Sequence, residues 1–290
     1  MIRRVWYTAS RNRHQTPPTA ERGALGSPTP TYSPVQTPQF YDDIARYYEL
    51  IFPDWEVSMS RQGAAIDRLI RRELNAVAHA STIHIVDASA GIGTQALPLA
   101  RQGFRVTARD ISPASIARLE REAAARELHI PAAVADMRTL SASVVGLFDV
   151  VLSFDNSMPH LLVDADLLAA FREFFSVLKP GGIVLCSVRD YDHVFRDAPS
   201  THSYGERWRD GVQYRLHQEW AWIDSLHYDA TMFIEQRSAG DWLEVVRSSM
   251  RYHAISIDRL MAIMQEAGFV DVARDDAALY QPVLIGHRSR

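Results

Sequence analysis

The sequence predicts an α/β protein: a mostly parallel, seven-stranded sheet with helices on both faces, a helical cap ahead of it and an antiparallel insertion after the fifth strand. Three observations predict it. Short apolar runs alternate with helical segments from residue 81 onward. The first of those runs, IHIV, ends in an acid and a glycine-rich turn, DASAGIG, at residues 87–93. Between residues 213 and 254 the alternation changes to long segments with the two-residue period of exposed strands.

The elements follow in order. Residues 1–39 carry six prolines, five arginines and one glutamate without an apolar period, which predicts a disordered, mildly basic tail. Residues 40–80 form the cap: FYDDIARYYELIFPDW is aromatic-rich and broken at Pro53, and Arg61 to Leu74 reads as an amphipathic helix with Ile66, Leu69 and Ile70 inward. The main domain, 81–290, opens with the buried strand TIHIVD (82–87), a helix from Thr94 to Arg101 and the strand FRVTARD (104–110). Ser112 and Pro113 are an N-cap and an N1 proline starting a helix to about Leu128. Strands at 131–136 and 148–154 come next. Leu167, Phe171, Phe174, Phe175 and Leu178 keep helical spacing, with Pro180-Gly181-Gly182 expected to stop that helix before a fifth strand, GIVLCSV, at 182–188. Such alternation implies right-handed crossovers and a parallel sheet. The insertion, 190–254, is expected to hold three strands, at 213–223, 228–237 and 242–254, the last two joined through Ala239-Gly240; Tyr214, Leu216, Trp220 and Trp222 share one face of the first. Ser256 caps a final helix ending near Gly268, and 269–274 and 280–287 close the fold as an antiparallel pair.

Composition removes several classes of function. A formal charge of −4 asks for neither nucleic acid nor an anionic membrane as partner. No apolar run approaches the ~20 residues that span a bilayer, and no signal-peptide core follows the N-terminal arginines. The one cysteine, Cys186, excludes an internal disulfide framework and a multi-cysteine zinc site, and no metal is expected. These features fit a cytoplasmic protein.

The turn at 87–93 poses the cofactor question. Gly91-Ile-Gly93 with Ala96 also spells GxGxxA, a dinucleotide fingerprint. In a dinucleotide site, however, the strand runs straight into the first glycine, and a carboxylate there would repel the pyrophosphate. Asp87 ends the strand three residues before Gly91, which suits a cationic cofactor with an amino-acid end, and the glycines let the backbone approach it closely. Asp110, at the end of the second strand, is placed to take both hydroxyls of a ribose, a feature common to NAD and S-adenosylmethionine. Asp136 ends the third strand, either as an acceptor for an adenine amino group or as an ordinary turn acid.

These residues resemble the motifs of class I S-adenosylmethionine-dependent methyltransferases, whose sheet is Rossmann-like. DASAGIG is similar to the first motif, with Ser89 in place of its first glycine. VTARDISP is similar to the second, with Asp110 as the ribose acid and Ile111 beside it. ADM (135–137) is similar to the adenine-contacting segment and brings in Asp136 and Met137. FDVVLSFDNSMPHL and LKPGGIVL are similar to the fourth- and fifth-strand motifs. The resemblance covers about residues 40–290 and implies S-adenosylmethionine as cofactor and a small-molecule methyl acceptor. Within the family the chain is most similar to glycine and sarcosine N-methyltransferases, through Asn156-Ser157-Met158-Pro159-His160-Leu161 and Arg189-Asp190-Tyr191-Asp192. That likeness implies Arg189 as a clamp for a substrate carboxylate and Asn156 as the group positioning the amine, with Tyr191 nearby; Asp190 stands where the family has asparagine. It also implies that the aromatic cap folds over the cofactor, with Tyr41, Tyr47, Tyr48 and Trp55 either as walls or as packing between cap and core, and with Arg61 reaching the cofactor carboxylate.

Methyl transfer from a sulfonium is an in-line displacement on carbon that asks mainly for alignment and exclusion of water. A base is needed only when the nucleophile must first lose a proton; His160 is the candidate, against the alternative that it shapes its loop. Arg189 is either the clamp or a salt-bridge partner of Asp190 or Asp192. The insertion aromatics Trp208, Trp220, Trp222 and Trp242 are either a small core, a contact in a homo-oligomer, or the lining of an apolar acceptor pocket. Amine methylation of an amino acid or related metabolite is the leading expectation. O-, S- or C-methylation of a specialised metabolite, and a non-catalytic binding protein, stand as alternatives.

Overall fold

The computed structural model describes residues 37–74, 79–194, 196 and 199–290. Its centre is a seven-stranded sheet made of β1 (His84–Asp87), β2 (Arg105–Asp110), β3 (Ala132–Val134), β4 (Phe148–Ser153), β5 (Leu178–Ser187), β10 (Val270–Asp275) and β11 (Val283–His287). The spatial order is β10-β11-β5-β4-β1-β2-β3, and only β11 runs antiparallel to its neighbours β5 and β10. The chain builds β1, β2 and β3 outward on one side, then returns to place β4 and β5 on the other. The order therefore reverses between β1 and β4, and a crevice opens at the carboxyl ends of those strands, where open α/β sheets bind ligands.

The strands form because both faces of this sheet are covered: Ile85, Val86, Val150, Val151, Leu152, Ile183, Val184 and Leu185 are all buried. One apolar layer carries α2 (Trp55–Glu73), α3 (Ala96–Arg101) and α4 (Pro113–Ala125); the opposite layer carries α5 (Asp164–Val177) and α6 (Ile257–Glu266). Ser112 caps α4 as expected, its hydroxyl accepting from the Ser115 amide at 3.0 Å. Gly268 follows the last turn of α6 with φ of 107°, a conformation that favours glycine.

Two expectations about β5 and the insertion are corrected. Pro180-Gly181-Gly182 does not stop α5, which ends at Val177; it lies inside β5. Phe148 pairs with Leu178 and Val150 with Ile183, so the Pro-Gly-Gly segment loops out as a bulge. A side chain at Gly182 would stand 3.0 Å from the Asp149 carbonyl and 2.9 Å from that of Lys179, which is why a glycine sits there. The insertion has four strands, not three: β6 (Ser200–Arg209), β7 (Val212–Trp222), β8 (His227–Ser238) and β9 (Asp241–His253), paired antiparallel in that order. β6 is an edge strand of polar and half-buried residues, and its sequence carries no apolar alternation to announce it.

The cap also differs in extent and partner. α1 (Thr37–Ile44) begins ahead of residue 40, so Thr37–Gln39 are helical; the rest of the predicted tail lies outside the described residues. α2 starts at Trp55, capped by Asp54, rather than at Arg61. Phe40, Ile44, Tyr47 and Leu50 pack on Tyr214, Leu216, Met232, Ile234, Val246 and Met250, the inner face of the insertion. Consecutive residues of α1 tie it to three places. The Tyr41 hydroxyl meets His160 Nε2 at 2.6 Å, Asp42 accepts from the Ser112 hydroxyl and the Ala114 amide at 2.6 and 3.0 Å, and Asp43 accepts from the Ser248 hydroxyl at 2.7 Å. Among the described residues no helix is long and apolar enough to cross a membrane, and no cluster of acids, histidines or cysteines is arranged to hold a metal.

Candidate active site

A cavity of about 620 Å³ fills the crevice at the strand ends. The turn after β1 supplies Ala88, Ser89, Ala90 and Gly91; β2 supplies Asp110 and Ile111; the segment after β3 supplies Asp136 and Met137; the segment after β4 supplies Asp155, Ser157 and His160; and the cap supplies Tyr41 and Tyr48.

The glycines of the first turn have separate jobs. Gly91 has φ of 52° and lines the cavity, with open space where a Cβ would stand. That is a cradle a larger residue would fill. Gly93, expected at the cofactor, is not in the cavity wall: with φ of 100°, a Cβ there would meet the Leu97 side chain at 2.8 Å, so it serves the packing of α3. Ser89 does line the cavity, and its hydroxyl bonds the Ser153 hydroxyl at 3.1 Å.

The acids differ in what they already hold. Asp110 accepts from the Gly91 amide at 2.8 Å and from the Ser112 amide at 2.9 Å, and it lines the cavity. Asp87 lies buried behind the turn, outside the cavity wall, accepting from the Ser89 amide at 3.3 Å while its Oδ2 has no partner. Burial first, then the neighbouring Asp110 and Asp155 carboxylates, push its carboxyl up to about 8 against the Ser89 amide bond. Asp136 lines the cavity but is held by Arg138 at 2.6 Å, which keeps its carboxyl below the usual range despite partial burial. An adenine amino group would meet an acid already paired, and Met137 stands beside it.

Arg61 is corrected. It is exposed on the solvent side of α2 and does not line the cavity. Its neighbour Gln62 is buried and receives the Gln95 amide at 2.8 Å, and the same Gln95 amide nitrogen reaches Asp155 at 2.9 Å. Of the predicted aromatic walls, Tyr41 and Tyr48 are in place; burial raises both phenols. Tyr47 instead packs against Tyr214, and Trp55 sits behind the wall with its indole donating to Thr94 Oγ1 at 3.1 Å.

On the acceptor side, Asn156 is fully engaged within the protein. Its amide nitrogen donates to the Tyr191 hydroxyl at 2.8 Å and its Oδ1 accepts from the Arg189 amide at 2.8 Å, so it braces the loops after β4 and β5 and leaves the cavity wall to Asp155. Tyr191 is wholly buried, hydrogen-bonded to Tyr228 at 3.1 Å, and is likewise a brace. His160 lines the cavity between Tyr41 and Tyr252, with Nδ1 buried and unpartnered. Burial and then the nearby Arg189 charge pull it down to about 3, so it is neutral at ordinary pH and a weak base.

Arg189 is not a salt-bridge partner of its neighbours. Asp190 pairs with Arg274 at 2.7 Å and with His193 at 3.0 Å. The Arg189 guanidinium donates to the Tyr228 hydroxyl at 3.0 Å and lies 4.5 Å from the centre of the Trp220 ring. Among the described residues no carboxylate meets it, and, contrary to expectation, neither Arg189 nor Trp220 is part of the cavity wall. Trp220 is buried, with the His202 ring tilted against it at 3.8 Å between centroids. Trp208 is 70% exposed, and Trp242 lies under the guanidiniums of Arg215 and Arg237. Neither contributes to the cavity wall.

The comparisons agree with this geometry. Residues 85–182, from β1 into β5, match a family model described as a methyltransferase domain. A glycine/sarcosine N-methyltransferase of Parasynechococcus marenigrum is 31% identical over 141 residues, covering 49% of this chain and 48% of that one. A glycine/sarcosine/dimethylglycine N-methyltransferase of Actinopolyspora halophila is 30% identical over 154 residues, covering 52% of this chain and 26% of that one. The chain thus spans about half, or less, of the length of these curated relatives. The structure of S-adenosylmethionine-bound CalS10, an amino pentose methyltransferase of Micromonospora echinaspora, superposes with a TM-score of 0.68 at 16% identity, covering 84% of this chain and 95% of that one. That likeness is one of fold. Residues 85–182 are thus similar to a methyltransferase domain, and the chain shares its fold with an S-adenosylmethionine-bound methyltransferase.

Proposed function

We propose that this protein transfers a methyl group from S-adenosylmethionine to the amine of a small acceptor bearing a carboxylate, an amino acid or a close relative. The observation that carries the acceptor reading is Arg189: a guanidinium enclosed by Trp220, Tyr191 and Tyr228 that meets no carboxylate among the described residues. An enclosed charge without a partner is costly, and a ligand carboxylate would satisfy it with the strong paired bonds that arginine makes. The relatives named as glycine and sarcosine N-methyltransferases support the same acceptor class.

The cradle fits the cofactor. Asp110 would take the ribose, the open space over Gly91 admits close approach, and the Asp87 carboxyl, protonated in the ligand-free fold, would ionise when a positive charge lies beyond the turn. Bound S-adenosylmethionine supplies an electrophilic methyl on a sulfonium. The chain contributes alignment: Tyr41 and Tyr48 line the cavity, and aromatic rings suit a cationic sulfur. His160, held neutral, orders Tyr41 rather than carrying protons.

The test is incubation with labelled S-adenosylmethionine and a panel of amines, amino acids, phenols and thiols, with products identified by mass spectrometry. An N-methylated amino acid is expected. Arg189→Ala should raise the acceptor KM on the order of 10- to 100-fold while the cofactor still binds. Methylation only at oxygen, sulfur or carbon would overturn the proposal.

A further inference from the structure

Asp155 is an acid of the cavity that neither the sequence motifs nor the relatives assign. It lines the cavity with φ of 55°, and Asn156 follows with φ of 67°. Two successive non-glycine residues in the left-handed region are strained, and such strain persists only where the surroundings enforce it. Here β5 enforces it: the Asp155 amide donates to the Ser187 hydroxyl at 2.8 Å and the Asn156 amide to the Ser187 carbonyl at 3.1 Å. The Asn156 side chain then clamps Tyr191 and the Arg189 backbone, so the pair cannot relax. The result is one carboxylate turned into the cavity.

Its partners are neutral. Oδ1 accepts from the Tyr280 hydroxyl at 2.6 Å and Oδ2 from the Gln95 amide at 2.9 Å. Among the described residues no arginine, lysine or histidine pairs with it. The other acids on the wall are provided for: Asp136 and Asp166 by Arg138, Asp110 by two backbone amides. Burial raises the Asp155 carboxyl, with Tyr280 and Gln95 opposing that rise. A carboxylate on the cavity wall with only neutral partners would be stabilised by a cation that a ligand brings in.

We propose that Asp155 receives the ammonium group of the acceptor. The inference rests on the N-methyltransferase reading above. The ammonium sheds its proton to water before attack. Its lone pair then forms the N–C bond, the C–S bond breaks with its electron pair left on sulfur, and positive charge passes to nitrogen. Asp155 faces that charge throughout.

The test is Asp155→Asn. Asparagine keeps the shape and tolerates the left-handed backbone; an unchanged melting temperature checks the fold. Cofactor affinity is measured by titration calorimetry, and KM and kcat with glycine, sarcosine and any further amine of the panel that the wild type methylates. The expected result is cofactor affinity unchanged within about threefold and an acceptor KM raised on the order of 10- to 100-fold, with partial rescue by Asp155→Glu. An unchanged acceptor KM overturns the inference. So does a loss of cofactor affinity with KM intact, which would assign the carboxylate to the cofactor's own ammonium. A wild type that binds S-adenosylmethionine but methylates no amine defeats the reading beneath it, a result distinct from an active Asp155→Asn enzyme.

Discussion

At the residue scale the first turn shows how alike two glycines look in sequence and how differently they act. Gly91 and Gly93 both adopt positive φ, but only Gly91 borders the cavity. Gly91→Ala would place a methyl in open space and strain the backbone, so it should weaken cofactor binding with a small loss of stability. Gly93→Ala would meet Leu97 and Leu119 at 2.8 and 3.3 Å and should cost about 1–3 kcal/mol of stability, seen as a lower urea midpoint. If the two variants exchange these effects, the assignment of roles is wrong. The sequence placed Asp110, Ile111, Asp136, Met137, Ser89 and Tyr48 at the cavity because motif position along a strand-end is a local property. It could not separate Asp155 from Asn156, since which of two adjacent left-handed residues faces inward depends on bonds from Ser187, on a different strand. Arg61 failed for a related reason: a rotation of one residue on α2 exchanges Arg61, outward, for Gln62, inward.

At the scale of elements, α1 is the piece that joins the cofactor half to the acceptor half. Asp42 adds a second cap to α4, beside that from Ser112, through the Ala114 amide. Asp42→Ala should cost about 1 kcal/mol, as lost caps do, and lower the melting temperature by about 2–4 °C for a domain of this size; calorimetry checks it, and an unchanged melting temperature would mean that the cap is redundant. Strands and helices with strong apolar periods were readable, because burial on both sheet faces imposes composition directly. β6 was not, because an edge strand is specified by its pairing with β7 rather than by its own residues. The bulge in β5 was mistaken for a stop because Pro-Gly-Gly serves either purpose, and only the neighbouring β4 decides.

At the scale of the whole molecule, two buried groups set opposite pH dependences. Asp87 is raised to about 8, so the folded protein holds a proton that the unfolded chain releases near pH 4; this stability is present at low pH and lost as pH rises through 8. Burial raises Asp110 and Asp155 as well, with the same sign. His160 is lowered to about 3, so its contribution is present above its unfolded value of about 6.5 and lost as pH falls below it. Above pH 6.5 the acids act alone. The ligand-free protein should therefore lose stability between pH 6.5 and 8, and Asp87→Asn should flatten that slope in urea titrations; the same slope in both proteins would mean that Asp87 ionises freely in the fold.

The three ties of α1 also bear on how the chain is made. Tyr41, Asp42 and Asp43 leave the ribosome early, yet their partners lie 119, 70 and 205 residues further on. At about 5–20 residues per second, Asp43 waits about 10–40 s for Ser248 to be synthesised. During that interval the apolar side of α1, with Phe40 and Ile44, has no insertion sheet to cover it. The wall of the cavity is thus translated well before the insertion that seats it, and a nascent chain stalled before residue 248 would present that helix to any chaperone that recognises exposed aromatic and aliphatic side chains.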